Sequence, residues 1–225
     1  MKALCPVVGL LMVVSSALAG DVTVHALITK RLTKKALSPV VYNLRGTAPP
    51  AATVITESES EFDRMVLVLE CTSPTPRPPG TSVIEQRNGR FEPELIVVPV
   101  GSTVQFPNAD PIFHNVFSLS KAQPFDLGFY PQGQTRNVKF NHPGIVQVYC
   151  HIHANMYAAI VVTASPWYGK PAADGSFSWS NIPAGHYRLV AWHKVAGLHR
   201  IEIDVPESGK VDATIRIPID VESKP

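Results

Sequence analysis

Apolar and polar residues alternate with a period of two in stretch after stretch of this chain. Phe177 and Trp179 are interleaved with Ser176, Ser178 and Ser180, and Ile201, Ile203 and Val205 with Glu202 and Asp204. Val211, Ala213, Ile215 and Ile217 alternate with Asp212, Thr214 and Arg216, and Val138 and Phe140 stand opposite Asn137 and Lys139. Successive side chains of a strand point to opposite faces, so such runs bury one face and wet the other, as in antiparallel sandwiches. The short runs are punctuated by 21 prolines and 14 glycines, which leave a long amphipathic helix no place. The pattern predicts an all-β chain.

The first nineteen residues stand apart. Lys2 precedes the apolar stretch Leu4 to Val14, and Ser15 to Ala19 ends in the small-x-small pattern that signal peptidase cuts after. This stretch is too short for a stable bilayer anchor, and Cys5 lies at its front rather than at its cleavage end. The expectation is a signal peptide over 1–19 and a periplasmic or secreted protein without a membrane span after cleavage; a retained N-terminal anchor is the alternative. A formal charge of +2 without a basic stripe gives no electrostatic footprint for nucleic acid.

Composition shifts suggest boundaries. Gly46 to Ala52 and Pro74 to Gly80 are linker-like, Glu57 to Glu61 is an acidic stretch, and a further break falls near Pro166 to Ala173. The region 49–81 therefore reads as a linker with a short strand, and 82–165 as one unit.

Two cysteines remain outside the first nineteen residues, Cys71 and Cys150. In an exported protein such a pair ordinarily forms one disulfide. The neighbours of Cys150 argue otherwise. Tyr149 to Tyr157 reads Y-C-H-I-H-A-N-M-Y, and Asp110 to Val116 reads D-P-I-F-H-N-V. Two histidines, one cysteine and a weak axial methionine make the ligand set of blue-copper electron-transfer sites: thiolate and thioether favour Cu(I), and imidazole suits both oxidation states. The expected metal ligands are His114, Cys150, His153 and Met156, holding one copper ion that cycles between Cu(I) and Cu(II). Val146, Val148 and Cys150 share a strand face, so Cys150 points inward at the strand's end. Cys71 then reads as a buried, inert thiol. Structural zinc is disfavoured because it avoids methionine. His151 is expected to face away from the metal, and His25, His142, His186, His193 and His199 to be solvated or structural.

The segment from Val98 to Val162 resembles the cupredoxins. V-P-V-G-S-T-V-Q-F-P-N-A-D-P-I-F-H-N-V looks like the first-ligand half of that family, and the stretch from Tyr130 through C-H-I-H-A-N-M looks like the second. The C-x-x-H-x-x-M spacing is the short loop of amicyanins. The resemblance implies a Greek-key β-sandwich with His114, Cys150, His153 and Met156 at the four ligand positions, and Asn115 bracing the cysteine loop by hydrogen bonds. It departs from the family in having Ala154 and Asn155, not proline, after the loop histidine. Ala173 to Ile219, with its D-G-S-F…P-A-G-H-Y-R-L pattern, resembles the carboxypeptidase regulatory-like (transthyretin-like) sandwich, and Val22 to Leu44 resembles that family's first strands. The implied arrangement is a smaller sandwich made of 20–48 together with 172–221, with the copper unit inserted, as in bacterial periplasmic methylamine-utilisation-type proteins.

These readings lead to an expected function: a periplasmic one-electron carrier serving a redox partner protein, with His153 as the exit edge and Pro143, Ala154 and Met156 in a docking patch. An enzyme is not expected. Tyr149 stands where a multicopper oxidase has histidine, no second loop cysteine exists for a dinuclear centre, and four protein ligands leave no open position for substrate. The alternative is a copper-binding, copper-delivery or scaffold protein without electron-transfer duty, although four methionines make no Met-rich tract.

Overall fold

The computed structural model describes residues 19–29, 60–72 and 74–217. The signal-like residues 1–18, the A-L-S-P-V-V-Y-N-L stretch at 36–44 and the linker-like Gly46 to Ala52 lie outside them. Among the described residues the chain is all-β, apart from one short 3-10 turn at Glu61–Arg64.

Four sheets are stacked with three apolar layers between them. The outermost sheet has β1 (Ala19–Ile28) in the middle, antiparallel to β14 (Ser176–Pro183) and parallel to β17 (Lys210–Ile217). The next runs in the order β13 (Trp167–Gly169), β2 (Met65–Glu70), β15 (Gly185–His193), β16 (Gly197–Val205). The third has five strands: β6 (Leu95–Pro99), β12 (Tyr157–Thr163), β11 (Gly144–Tyr149), β8 (His114–Ser118) and β9 (Phe125–Tyr130). The last comprises β10 (Thr135–Lys139), β7 (Thr103–Pro107) and β3 (Thr81–Val83). A hairpin of β4 (Glu85–Arg87) and β5 (Arg90–Glu92) completes the fold.

The alternating strands behave as their pattern dictates. Val22, Val24 and Ala26 of β1 meet Ala213, Ile215 and Ile217 of β17 over Met65, Leu67, Leu69, Leu189 and Ala191. On the far side Val104, Phe106, Val116, Val146, Val148, Ile160 and Val162 fill the layer between the five-stranded and three-stranded sheets.

Three strands do not alternate. M-V-L-V-L in β2, A-A-I-V-V in β12 and L-V-A-W in β15 are continuous apolar runs, as expected of strands covered on both faces. Their odd and even residues serve different layers. Met65, Leu67 and Leu69 face the outer sandwich, whereas Val66 and Val68 join Val190, Trp192, Leu95, Ala159 and Val161 in a seam between the two sandwiches.

The short strand within the stretch read as linker is therefore an interior strand, hydrogen-bonded between β13 and β15. Pro74 to Gly80 carries no regular structure, and Arg77 tethers it by donating to the Pro166 carbonyl at 2.6 Å. The break near Pro166 contains β13, which pairs antiparallel with β2. No helix among the described residues is long and apolar enough to cross a membrane.

Candidate metal centre

β11 carries Val146 and Val148 inward and ends at Tyr149, so the next residue, Cys150, enters the same core 6% exposed. β12 returns antiparallel, with Tyr157 opposite Tyr149, and the loop 150–156 closes on a hydrogen bond from the Met156 N–H to the His153 carbonyl, 3.1 Å. β8 lies on the other side of β11, where Phe117 pairs with Tyr149, and begins at His114. One end of the five-stranded sheet thus gathers a histidine from β8 and three loop residues.

The Cys150 Sγ lies 3.8 Å from His114 Nδ1 and 3.9 Å from His153 Nδ1. The two imidazoles are 4.8 Å apart between centroids and inclined at 57°. The nearest donor atoms of all three residues lie within 4.8 Å of one another, and they form the one group of three potential metal-binding His, Cys, Asp or Glu residues found among the described residues. Separations near 4 Å suit donors that each bind one shared ion at about 2.0–2.3 Å. His114 is fully buried and His153 is partly exposed. Met156 is 1% exposed and packs in the same apolar cluster as Cys150. A soft thiol, two imidazoles and a buried thioether fit copper better than magnesium or calcium, which take oxygen ligands.

Asp110, which motif spacing did not single out, stands behind His114. Its Oδ2 is 2.8 Å from His114 Nε2, and its two oxygens accept the N–H groups of Asn88 (2.6 Å) and Gly89 (2.8 Å). Burial raises the pKa of this carboxyl, but the bonds from Gly89, His114 and Asn88 outweigh it and hold the group below the usual carboxylate range. The sequence signal was an acid four residues before a candidate donor histidine.

Asn115 does not brace the cysteine loop directly. Its Nδ2 donates to Asp126 Oδ1 on β9 at 2.6 Å, and Asp126 in turn lies 3.6 Å from His151 Nε2. The link to the loop therefore passes through a carboxylate. His151 points away from the donor cluster and stacks on Phe117, 3.9 Å between centroids and 8° from parallel.

The apolar rim differs from the expected docking patch. Met156 is buried, and Pro143 precedes β11, at the opposite end of the strand from Cys150. The exposed apolar side chains that flank His114 and His153 in the chain are instead Ile112 (47%), Phe113 (57%) and Ile152 (53%), with Ala154 also exposed.

The remaining histidines are solvated or hydrogen-bonded. His193 is buried and bonded to backbone, His186 is exposed beside Asp204 and Glu202, and His25 and His142 are exposed. Cys71 and Cys150 are both free thiols, and Cys71 is half-buried at the edge of the outer sandwich core rather than fully enclosed.

No family model matches the chain. Its structural neighbours are cupredoxins. A Cu-containing nitrite reductase from Thermus scotoductus SA-01 matches at 26% identity over 38% of this chain, with a TM-score of 0.35; the match spans only 22% of the reductase. A reduced, Cu(I) form of an amicyanin variant matches at 21% identity over 42% of this chain and 98% of its own, with a TM-score of 0.36. A purple cupredoxin from Nitrosopumilus maritimus gives 23% identity, 36% of this chain, 99% of its own and a TM-score of 0.34.

Proposed function

We propose that this chain is a one-electron carrier of the periplasm or exterior, holding a single copper ion through His114, Cys150, His153 and the axial Met156. The observation that carries the reading is the convergence of a buried thiol and two imidazole Nδ1 atoms within 4 Å of that sulfur. Bound copper supplies the Cu(I)/Cu(II) couple. The protein supplies the rest. Cys150 and His114 are set by adjacent strands of one sheet, and the loop is closed by its own hydrogen bond, so the donors need little rearrangement between oxidation states.

His153 is the partly exposed member of the group and so the edge through which an electron enters or leaves. Around it Ile112, Phe113, Ile152 and Ala154 offer an apolar surface on which a redox partner can exclude water, a small contact of the kind transient electron-transfer pairs use. The site acts as a carrier rather than an enzyme, because four protein ligands leave substrate no coordination position.

The flanks of the chain are read as a second, transthyretin-like sandwich of 20–48 with 172–221, into which the copper unit is inserted. Pairing of β1 with both β14 and β17 supports this arrangement. The interior position of β2 extends the second sandwich to Met65–Glu70.

Copper loading followed by voltammetry tests the function. The expected result is an intense visible charge-transfer band and a reversible one-electron couple. A colourless copper complex would remove the type 1 site, and a coloured protein with no reversible couple would favour copper storage or delivery. Limited proteolysis that releases a fragment near 82–165 while the flanks remain associated would support the insertion.

A further inference from the structure

We infer that Asp110 is a positioning residue of this metal centre: it fixes which nitrogen of His114 faces the metal and ties that ligand to the tip of the β4–β5 hairpin. The inference rests on the copper reading above and deepens it.

The geometry is one of complete occupation. Both Asp110 oxygens already accept N–H groups, from Asn88 and Gly89, so the carboxylate meets His114 as an acceptor and the 2.8 Å contact from Oδ2 to Nε2 places the ring proton on Nε2. Nδ1 is left with its lone pair, and this is the atom 3.8 Å from Cys150 Sγ. His114 is 0% exposed and Asp110 6% exposed, so water does not compete for either. The ring orientation is thus set by a partner already in place before any ion arrives. A negative hydrogen-bond partner also makes the ligand nitrogen more basic, which favours Cu(II) over Cu(I).

The carboxylate is itself held from the other side. Asn88 and Gly89 form the two-residue turn between β4 and β5, with φ of +54° and +66°, and both aim their N–H groups at Asp110. Asn108 steadies the carboxylate's backbone: its Oδ1 accepts the Asp110 N–H at 3.0 Å while its Nδ2 donates to the carbonyls of Ile112 and Tyr130. Hairpin tip, carboxylate and ligand histidine form one continuous chain of bonds. Anchoring His114 to a metal therefore restrains Asp110 and, through it, the Asn88–Gly89 turn.

Two experiments test this. In D110N the amide can still accept the histidine proton, but the negative charge is gone and one turn N–H loses its acceptor. The expected result is retention of the visible band, a positive shift of the reduction potential and a loss of copper affinity of about 10–100-fold. An unchanged potential and affinity in a folded D110N would overturn the positioning role. The second experiment uses the unaltered protein: hydrogen exchange at the Asn88 and Gly89 amides should slow when copper is added to the metal-free form. Equal exchange rates in the two forms would overturn the coupling to the hairpin. If the unaltered protein shows no charge-transfer band, the copper reading itself fails, so the two failures are distinguishable.

Discussion

Cys150 and His114 are 36 residues apart in the chain, yet the sulfur of one lies 3.8 Å from the Nδ1 of the other. The contact joins the ends of two neighbouring strands of one sheet and brings a buried thiol to a buried imidazole. Cys150→Ser replaces that sulfur with a harder, much less acidic hydroxyl. The expected outcome is complete loss of the visible band on copper addition, with circular dichroism unchanged. A persistent band would place the copper elsewhere.

Met156 is buried in the same apolar core as Cys150, so its contributions to packing and to ligation can be separated. Leucine has nearly the same volume, and Met156→Leu should alter the metal-free protein's stability by less than about 1.5 kcal/mol. The thioether is lost all the same. A positive shift of the potential and a changed copper EPR spectrum are expected; identical values in the two proteins would show that Met156 is packing only.

His193 makes folding sensitive to acid. Its side chain is fully buried, Nε2 donates to the Glu61 carbonyl at 3.1 Å, and Nδ1 accepts the N–H groups of Val195 and Ala196. Burial pushes its pKa down from 6.5 to about 4, so the folded state favours neutral imidazole. Between those values the unfolded chain binds the proton and the folded chain does not. Stability from this residue is therefore whole above about pH 6.5 and falls as pH drops toward 4, a loss opposed by the Glu61 carboxylate 3.5 Å from Nε2, which favours the charged ring. Urea denaturation at pH 7 and 4.5 should show a shallower acid decline in His193→Gln than in the unaltered protein. Equal slopes would contradict the assignment.

Gly175 locks the turn into β14 against the N-terminal strand. Its φ is +82°, its carbonyl accepts the Ala26 N–H at 2.9 Å, and a Cβ there would sit 2.4 Å from the Ala26 oxygen. Gly175→Ala should lower stability by at least about 1–3 kcal/mol. The metal centre belongs to the other sandwich, so the visible spectrum should be unaffected. A melting temperature equal to that of the unaltered protein would refute the constraint.

Much of the site was legible because its signals are local. The order of donors in C-H-I-H-A-N-M is set by a loop of seven residues, 150–156, and the inward aim of Cys150 by the pleat of Val146 and Val148. Asp110 and the route from Asn115 through Asp126 were not legible. Each depends on where a different loop or strand passes, and an acid near a histidine in sequence does not announce which atom it will meet. The docking rim failed for the same reason: Pro143 and Met156 are close to the ligands in sequence, but one lies at the far end of β11 and the other points into the core.

The sequence by itself determined that the chain is built of strands and which face of each alternating strand is apolar, and it offered four side chains whose chemistry suits a copper ion. Period and ligand type are properties of neighbouring residues, and they survive whatever the rest of the chain does. The tertiary structure alone decided which layers cover the two faces of β2, β12 and β15, because a continuous apolar run does not say which sheet will pack against either face. It alone decided as well that Asp110 orients His114, since a hydrogen bond requires two groups to meet, and that meeting is arranged by the packing of the whole sandwich.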